Sequence, residues 1–276
     1  MNTASPYAAD ISEILSHRYD NGWDYWATPD KRLLKGAPFS TIDSASFLLE
    51  LGVSPKDSVL QAVAQLLFDY TQQDGRIRLF PKGAIYPCQT ALALNLLCSM
   101  GYAHDPCLAN TFSYFLETQE AGGGWKCNKY SYGRGPETAY ANPLPTLQAL
   151  HAFAQHDVLK NEAALENAIE LLLMHWEIKK PIGPCHYGIG SLFMQVEYPF
   201  RGYNLFYYVY VLSMYEKARQ DARFLEAKAA LTEKLQGGKV VVERVVPKLA
   251  KLTFCKKGVP SLLATARHQE ILERFQ

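Results

Sequence analysis

Cys88, Cys127, Cys185 and His186 are the residues in this chain best suited to chemistry. Thiolate and imidazole are the donors zinc prefers, in a tetrahedral shell whose fourth position a catalytic site leaves open to substrate. Cys185 and His186 are adjacent in GPCHYGIG, where Pro184 and the glycines free the backbone from helical or strand geometry. Both could therefore face one metal. Cys127 follows a GGW turn and Cys88 opens YPCQTALAL. All four are candidate zinc ligands, and Cys127 is also a candidate catalytic residue. The spacing is not a compact Cys-x-x-Cys pair, so the alternative remains of buried thiols beside a solvated histidine. Cys98 and Cys107 lie in helix-patterned segments and read as core. Cys255 adjoins Lys256 and Lys257, which could depress its pKa, yet it reads as a bystander.

Other side chains could serve the same site. Arg134 in YSYGRGPETAY and Arg201 in YPFRGY could hold a diphosphate or carboxylate. Asp43 and Glu137 are the acids placed near the same mouth, and neither has a partner at a spacing that argues acid–base work. Tyr203, Tyr207, Tyr208 and Tyr210, with Phe206, form an aromatic band that could partly face an apolar ligand and partly fill core. Trp125, Arg201, Tyr203 and Tyr207 are the candidate ligand-binding residues, and Arg134 and Asp43 join Cys127 as candidate catalytic ones. His175 precedes Trp176 at the end of a helical pattern and could answer a helix dipole.

These residues need elements to position them. TQEAGGGWKC (118–127) ends a helical pattern and opens a glycine-rich loop, with a weaker copy at TQQDGRI (71–77). The two copies start about 47 residues apart, within the range of a two-helix repeat. Nearly continuous apolar runs at 44–52, 90–101, 146–155 and 202–214, with a fifth run at 261–272, predict inner helices. Amphipathic segments at 57–71, 105–118, 161–175 and 221–235 predict outer ones, and 8–18 adds another. Residues 238–246 (GKVVVERVV) read as a short hairpin or an extended edge. Pro87, Pro106, Pro145, Pro199 and Pro260 sit where helices are expected to begin. The expectation is one all-α domain over residues 1–276, about five helical pairs closing into an α/α toroid, complete or incomplete. Connections from outer to inner helix are long (72–87, 119–145, 176–199, 236–260). In a repeat array they emerge on one rim, where function concentrates.

Composition narrows the function classes. The 276 residues carry 28 basic and 27 acidic side chains, a net charge of +1, which gives no bulk attraction for nucleic acid. No apolar run approaches the roughly 18 residues that span a bilayer, and the polar N-terminus lacks signal-peptide order. A cytoplasmic protein is expected, with six cysteines that do not form a disulfide framework.

The amphipathic helix ending in Gln119, then Gly124 and Trp125, then a buried helix resembles the repeat of the terpenoid cyclase and protein prenyltransferase superfamily. Residues 72–77 resemble it in part and YDNGW (19–23) loosely, and the helix spacing extends the likeness over most of the chain. It looks like a short bacterial protein with prenyltransferase and squalene-oxidase-type repeats. The resemblance implies an α/α toroid whose central cavity takes an isoprenoid or other apolar ligand, or a peptide. The departures are specific. The acid motif DxDD of triterpene cyclases would fall on STIDSA (40–45), which places Ile42 at the acid and keeps only Asp43. DDxxD is absent, and so is the Asp-x-Cys of zinc prenyltransferases, although Cys88 lies at a comparable point. Cys185–His186 with the upstream Cys127 is similar to lanthionine synthetase cyclases, zinc toroids that activate a thiol. Three functions follow: action on an isoprenoid-like ligand, zinc-dependent thiol or peptide chemistry, or binding without catalysis.

Overall fold

A computed structural model describes residues 5–276 and shows an all-helical chain. The first six helices are α1 (Ala8–Ser16), α2 (Thr41–Glu50), α3 (Ser58–Asp69), α4 (Pro87–Leu97), α5 (Ala109–Glu117) and α6 (Pro143–Phe153). Then come α7 (Leu165–Ile178), α8 (Leu205–Leu212), the one-turn α9 (Glu216–Arg219), α10 (Ala222–Thr232) and α11 (Leu262–Glu273).

The two helix classes differ in burial as their patterns require. All eight residues of α8 and nine of the eleven in α6 are buried. In α3 the buried residues are Leu60, Val63, Ala64 and Leu67, a single stripe at three- and four-residue spacing. Inner helices pack on successive inner helices: α4 on α2 and α6, and α8 on α6 and α11. One apolar cluster runs from Ile14 to Ile271. Residues 238–246 leave a turn at Gly238 and make only isolated bridges: Lys239 with Gln236, Val241 with Pro260 and Arg244 with Glu197. Pro143, not Pro145, opens α6; Pro145 is buried two residues on.

The recurring glycine turn has a packing cause. Gly75 and Gly123 follow α3 and α5 with φ of +83° and +85°. A Cβ there would lie 2.1 Å from the Asn110 carbonyl oxygen and 2.0 Å from that of Asn167, on the next outer helix in each case. Only glycine allows both the left-handed turn and the approach. Two residues on, the Ile77 and Trp125 N–H groups donate to Thr90 and Thr146 Oγ1, each at 3.2 Å. Val240 repeats the bond to Thr265 Oγ1 at 3.0 Å. Each turn is thus pinned to the first turn of the inner helix that follows.

Tryptophan locks the other side. Trp125 Nε1 donates to the Phe115 carbonyl at 2.8 Å, closing the loop onto α5. Trp26 does the same to Ile14 of α1 at 3.0 Å. In the first repeat the structural tryptophan is therefore Trp26, three residues beyond the YDNGW motif. Trp23 is half exposed under the Lys31 ammonium.

The two ends of the chain meet. Arg267 on α11 donates to both carboxylate oxygens of Glu50 on α2, at 2.8 and 3.0 Å, and Tyr198 OH also bonds Glu50. Asp10 of α1 accepts from the N–H groups of Thr253 and Phe254 at 2.8 and 2.9 Å.

Candidate functional site

Three separate segments bring three thiols to one place. Cys88 is the second residue of α4, whose start is set by Pro87. Cys127 sits in the loop from α5 to α6, held by its N–H to Asn142 Oδ1 at 2.6 Å. Cys185 comes from the loop between α7 and α8, and its thiol donates to the Cys127 carbonyl at 3.1 Å. The sulfurs of Cys88 and Cys127 are 3.3 Å apart. That is too far for a disulfide, which needs about 2.05 Å, and short enough to share a proton.

The shared proton decides which sulfur is reactive. The N-terminus of α4 favours charge on Cys88. Cys127 receives more: the Cys88 thiol and the backbone N–H groups of Lys129 and Cys88 favour its charged form, while the Cys185 thiol donates to its carbonyl. Charge therefore rests on Cys127, whose pKa falls from 9.0 to about 6, chiefly because Cys88 donates to it, and against the cost of burial. Cys88 moves the other way, because it keeps the shared proton and is desolvated. Burial likewise raises Cys185. A thiolate at neutral pH is a nucleophile or a metal ligand.

The thiols open on a cavity of about 310 Å³. Its apolar wall includes Leu34, Leu92, Leu144 and Phe200, and its polar groups include Asp43, Gln89, Lys129, Gln148 and Arg201. A second cavity of about 520 Å³ lies on the side of the short turn 52–55 and shares Ser46, Phe47, Leu92, Gln148 and Phe200 as walls. Tyr207, Tyr210, His151 and Arg267 line this second space. Burial keeps His151 neutral, its pKa pushed down to about 3, and it is bonded to Asn95 and to Tyr207 OH, each at 3.1 Å.

The other expected site residues divide clearly. Asp43 is in the first turn of α2, capped by Ser40, and paired with Arg201 at 2.8 and 3.3 Å. The pair forms part of the thiol cavity's wall. Tyr207 lines the second cavity. Tyr203 lines neither; its OH bonds His175 Nδ1 at 2.9 Å and its ring stacks on the imidazole. Trp125 is buried in the repeat lock described above and also stays out of the cavities. Arg134 is exposed, in a turn where its N–H bonds Glu137 at 2.8 Å. His186 is exposed too, in a left-handed turn with φ of +59°. Its neighbour Cys185 faces the thiols and His186 does not. Among the described residues no group of three or more His, Cys, Asp or Glu side chains is arranged to hold a metal ion.

Two further readings are corrected. Cys107 is exposed instead of core, whereas Cys98 and Cys255 are buried with pKa values pushed up to about 12 by desolvation. His175 lies three residues inside the end of α7, fully buried, bonding Tyr203 and the Lys180 carbonyl instead of the helix terminus. Sequence reasoning also missed Gln89, Lys129, Gln148 and Tyr187 as cavity residues. The two glutamines left a faint trace: Gln148 interrupts the apolar run 146–155, and Gln89 stands just before the run 90–101.

A scan against protein-family models and a search of curated proteins return no match for this chain. No helix among the described residues is long and apolar enough to cross a membrane.

Proposed function

We propose that this chain takes an apolar ligand into a cavity at the centre of a ring of helices and acts on it through the Cys127 thiolate. The observation that carries the reading is the 3.3 Å contact between Cys88 and Cys127 in the wall of a cavity lined by Leu34, Leu92 and Phe200. A desolvated pocket strengthens a thiolate's attack on an electrophile, and the apolar wall supplies affinity of about 25 cal/mol per Å² of hydrocarbon buried. The succession of inner helices, with Glu50 and Arg267 joining the last to the first, supports a closed toroid like that of the terpenoid cyclase and prenyltransferase superfamily. Acid-initiated cyclisation is disfavoured, because Ile42 occupies the acid's place and Asp43 is committed to Arg201.

The test is chain-length selectivity. A decyl methanethiosulfonate is expected to modify Cys127 at least tenfold faster than the methyl reagent, with exposed Cys107 showing no such preference. The thiolate attacks the sulfenyl sulfur and a sulfinate leaves. Equal rates at Cys127 for both reagents would remove the apolar-ligand reading.

A second reading rests on the donor set. Three thiols from three segments suit zinc, with Cys88, Cys127 and Cys185 as ligands and a fourth position open for a substrate thiol. There the metal would supply Lewis-acid activation. It requires Cys185 to leave the two carbonyls it now bonds, those of Cys127 and Tyr130. Elemental analysis giving about one zinc per chain, lost in Cys127→Ser, would favour it. His186→Ala is expected to leave any such metal in place.

A further inference from the structure

Gln89 on α4 and Gln148 on α6 are unusual tenants of an inner ring. They are 3% and 6% exposed, respectively, and both line the thiol cavity. Among the described residues neither carboxamide makes a hydrogen bond to protein, although nearby polar side chains do: Asn142 holds Cys127, and Asn95 holds His151 and Gln155. The amide atoms of both are accessible from the cavity and are not among the polar atoms sealed in the core without a partner. Leucine would fill each position with similar volume and no polar atom, and it is the residue used at Leu92, Leu94 and Leu147 in the same helices. The carboxamides face open cavity, so their donors and acceptors are free for whatever enters it.

We infer that Gln89 and Gln148 form a polar subsite that recognises an amide group, so that the ligand offered to Cys127 is peptide-like instead of a bare hydrocarbon. A primary carboxamide presents one acceptor and two donors, the complement of a peptide unit's N–H and C=O. A hydrocarbon tail can satisfy neither glutamine. A diphosphate would be met by cations, yet Arg201 is already neutralised by Asp43. The remaining cation of the wall, the Lys129 ammonium, lies 5.5 Å from the ring centres of Phe80 and Tyr130. Apolar walls and amide partners together suit a short peptide segment with hydrophobic side chains. The inference rests on Cys127 being the reactive group proposed above.

The test compares two small reagents at Cys127 by mass spectrometry: iodoacetamide, which carries an amide, and methyl methanethiosulfonate, which does not. In the first reaction the thiolate displaces iodide and forms a carbon–sulfur bond. The ratio of the two rate constants in wild type is set against that in Gln148→Leu, Gln89→Leu and the double variant. Each single change is expected to lower the ratio roughly fivefold, the worth of one net hydrogen bond. Thermal midpoints should stay close to wild type, because leucine keeps the volume and neither carboxamide bonds the protein. An unchanged ratio, with Cys127 still reactive, would overturn the amide subsite and leave the thiolate reading intact. A lowered midpoint in both leucine variants would also overturn it, by showing that the glutamines hold the fold. A Cys127 inert to both reagents in wild type would instead remove the reading on which the inference stands.

Discussion

At the scale of single residues, the reactivity of Cys127 follows from counting donors. The Cys88 thiol and the backbone N–H groups of Lys129 and Cys88 favour charge on its sulfur, while the Cys88 sulfur has a helix terminus and the Lys129 charge. Removing Cys88 removes the largest cause of the depressed pKa. Cys88→Ala is therefore expected to raise the midpoint of Cys127 alkylation by at least one pH unit, leaving burial and the remaining donors to compete. Cys88→Ser, which keeps a donor, should shift it less. Mass-resolved alkylation at a series of pH values reads both. The residues that sequence reasoning misplaced failed for reasons of local geometry. His186 follows Cys185 directly, but it sits exposed in a left-handed turn and does not join Cys185 in the cavity wall. Trp125 lies in the best-matched motif, and its indole N–H is spent on the Phe115 carbonyl. Arg134 sits in a turn whose polar partners are its own neighbours.

At the scale of elements, most of the helices were legible because burial follows periodicity. Near-continuous apolar runs became α4, α6 and α8, and single stripes became α3 and α5. The convergence of Cys88, Cys127 and Cys185 was legible for the same reason, since connections of one sense in a repeat emerge at one end. Gln89 and Gln148 were not, because a lone glutamine in or beside an apolar run carries no sign of which neighbour it faces. The glycine turns are the element-level device. Gly123→Ala places a Cβ 2.0 Å from the Asn167 carbonyl oxygen in a left-handed turn, and α7 must move to admit it. The expected loss is about 3 kcal/mol or more, from clash and backbone strain together. Gly52→Ala shares a positive φ of +83° but meets nothing within 4 Å, so it should cost only about 1–2 kcal/mol. Urea titrations of the two variants separate packing from backbone preference; equal losses would refute the close-approach argument.

At the scale of the whole molecule, the thiol cavity depends on contacts distant in sequence. Asp43 near the start pairs with Arg201, and Glu50 pairs with Arg267 close to the end. Glu50→Gln keeps the volume and strands the Arg267 guanidinium on a half-buried wall, with Glu270 as its remaining partner at 2.5 Å. A loss of about 1–3 kcal/mol is expected, discounted for the exposure of both side chains. Because Arg267 lines the second cavity and not the thiol cavity, the same variant should leave the reactivity of the thiols unaltered. Hydrogen exchange would show α1, α2 and α11 losing protection together, whereas loss confined to α11 would mean that the ends are not coupled. The central claim, however, is that this fold presents a thiolate to its cavity at neutral pH, and the most direct measurement is the pH profile of Cys127 alkylation by iodoacetamide in wild-type protein, resolved by mass from the other five cysteines. The account predicts a rate that rises through a midpoint near 6 and is flat by pH 8, with exposed Cys107 still climbing above pH 8. A Cys127 rate that climbs through pH 9 in parallel with Cys107 would contradict it.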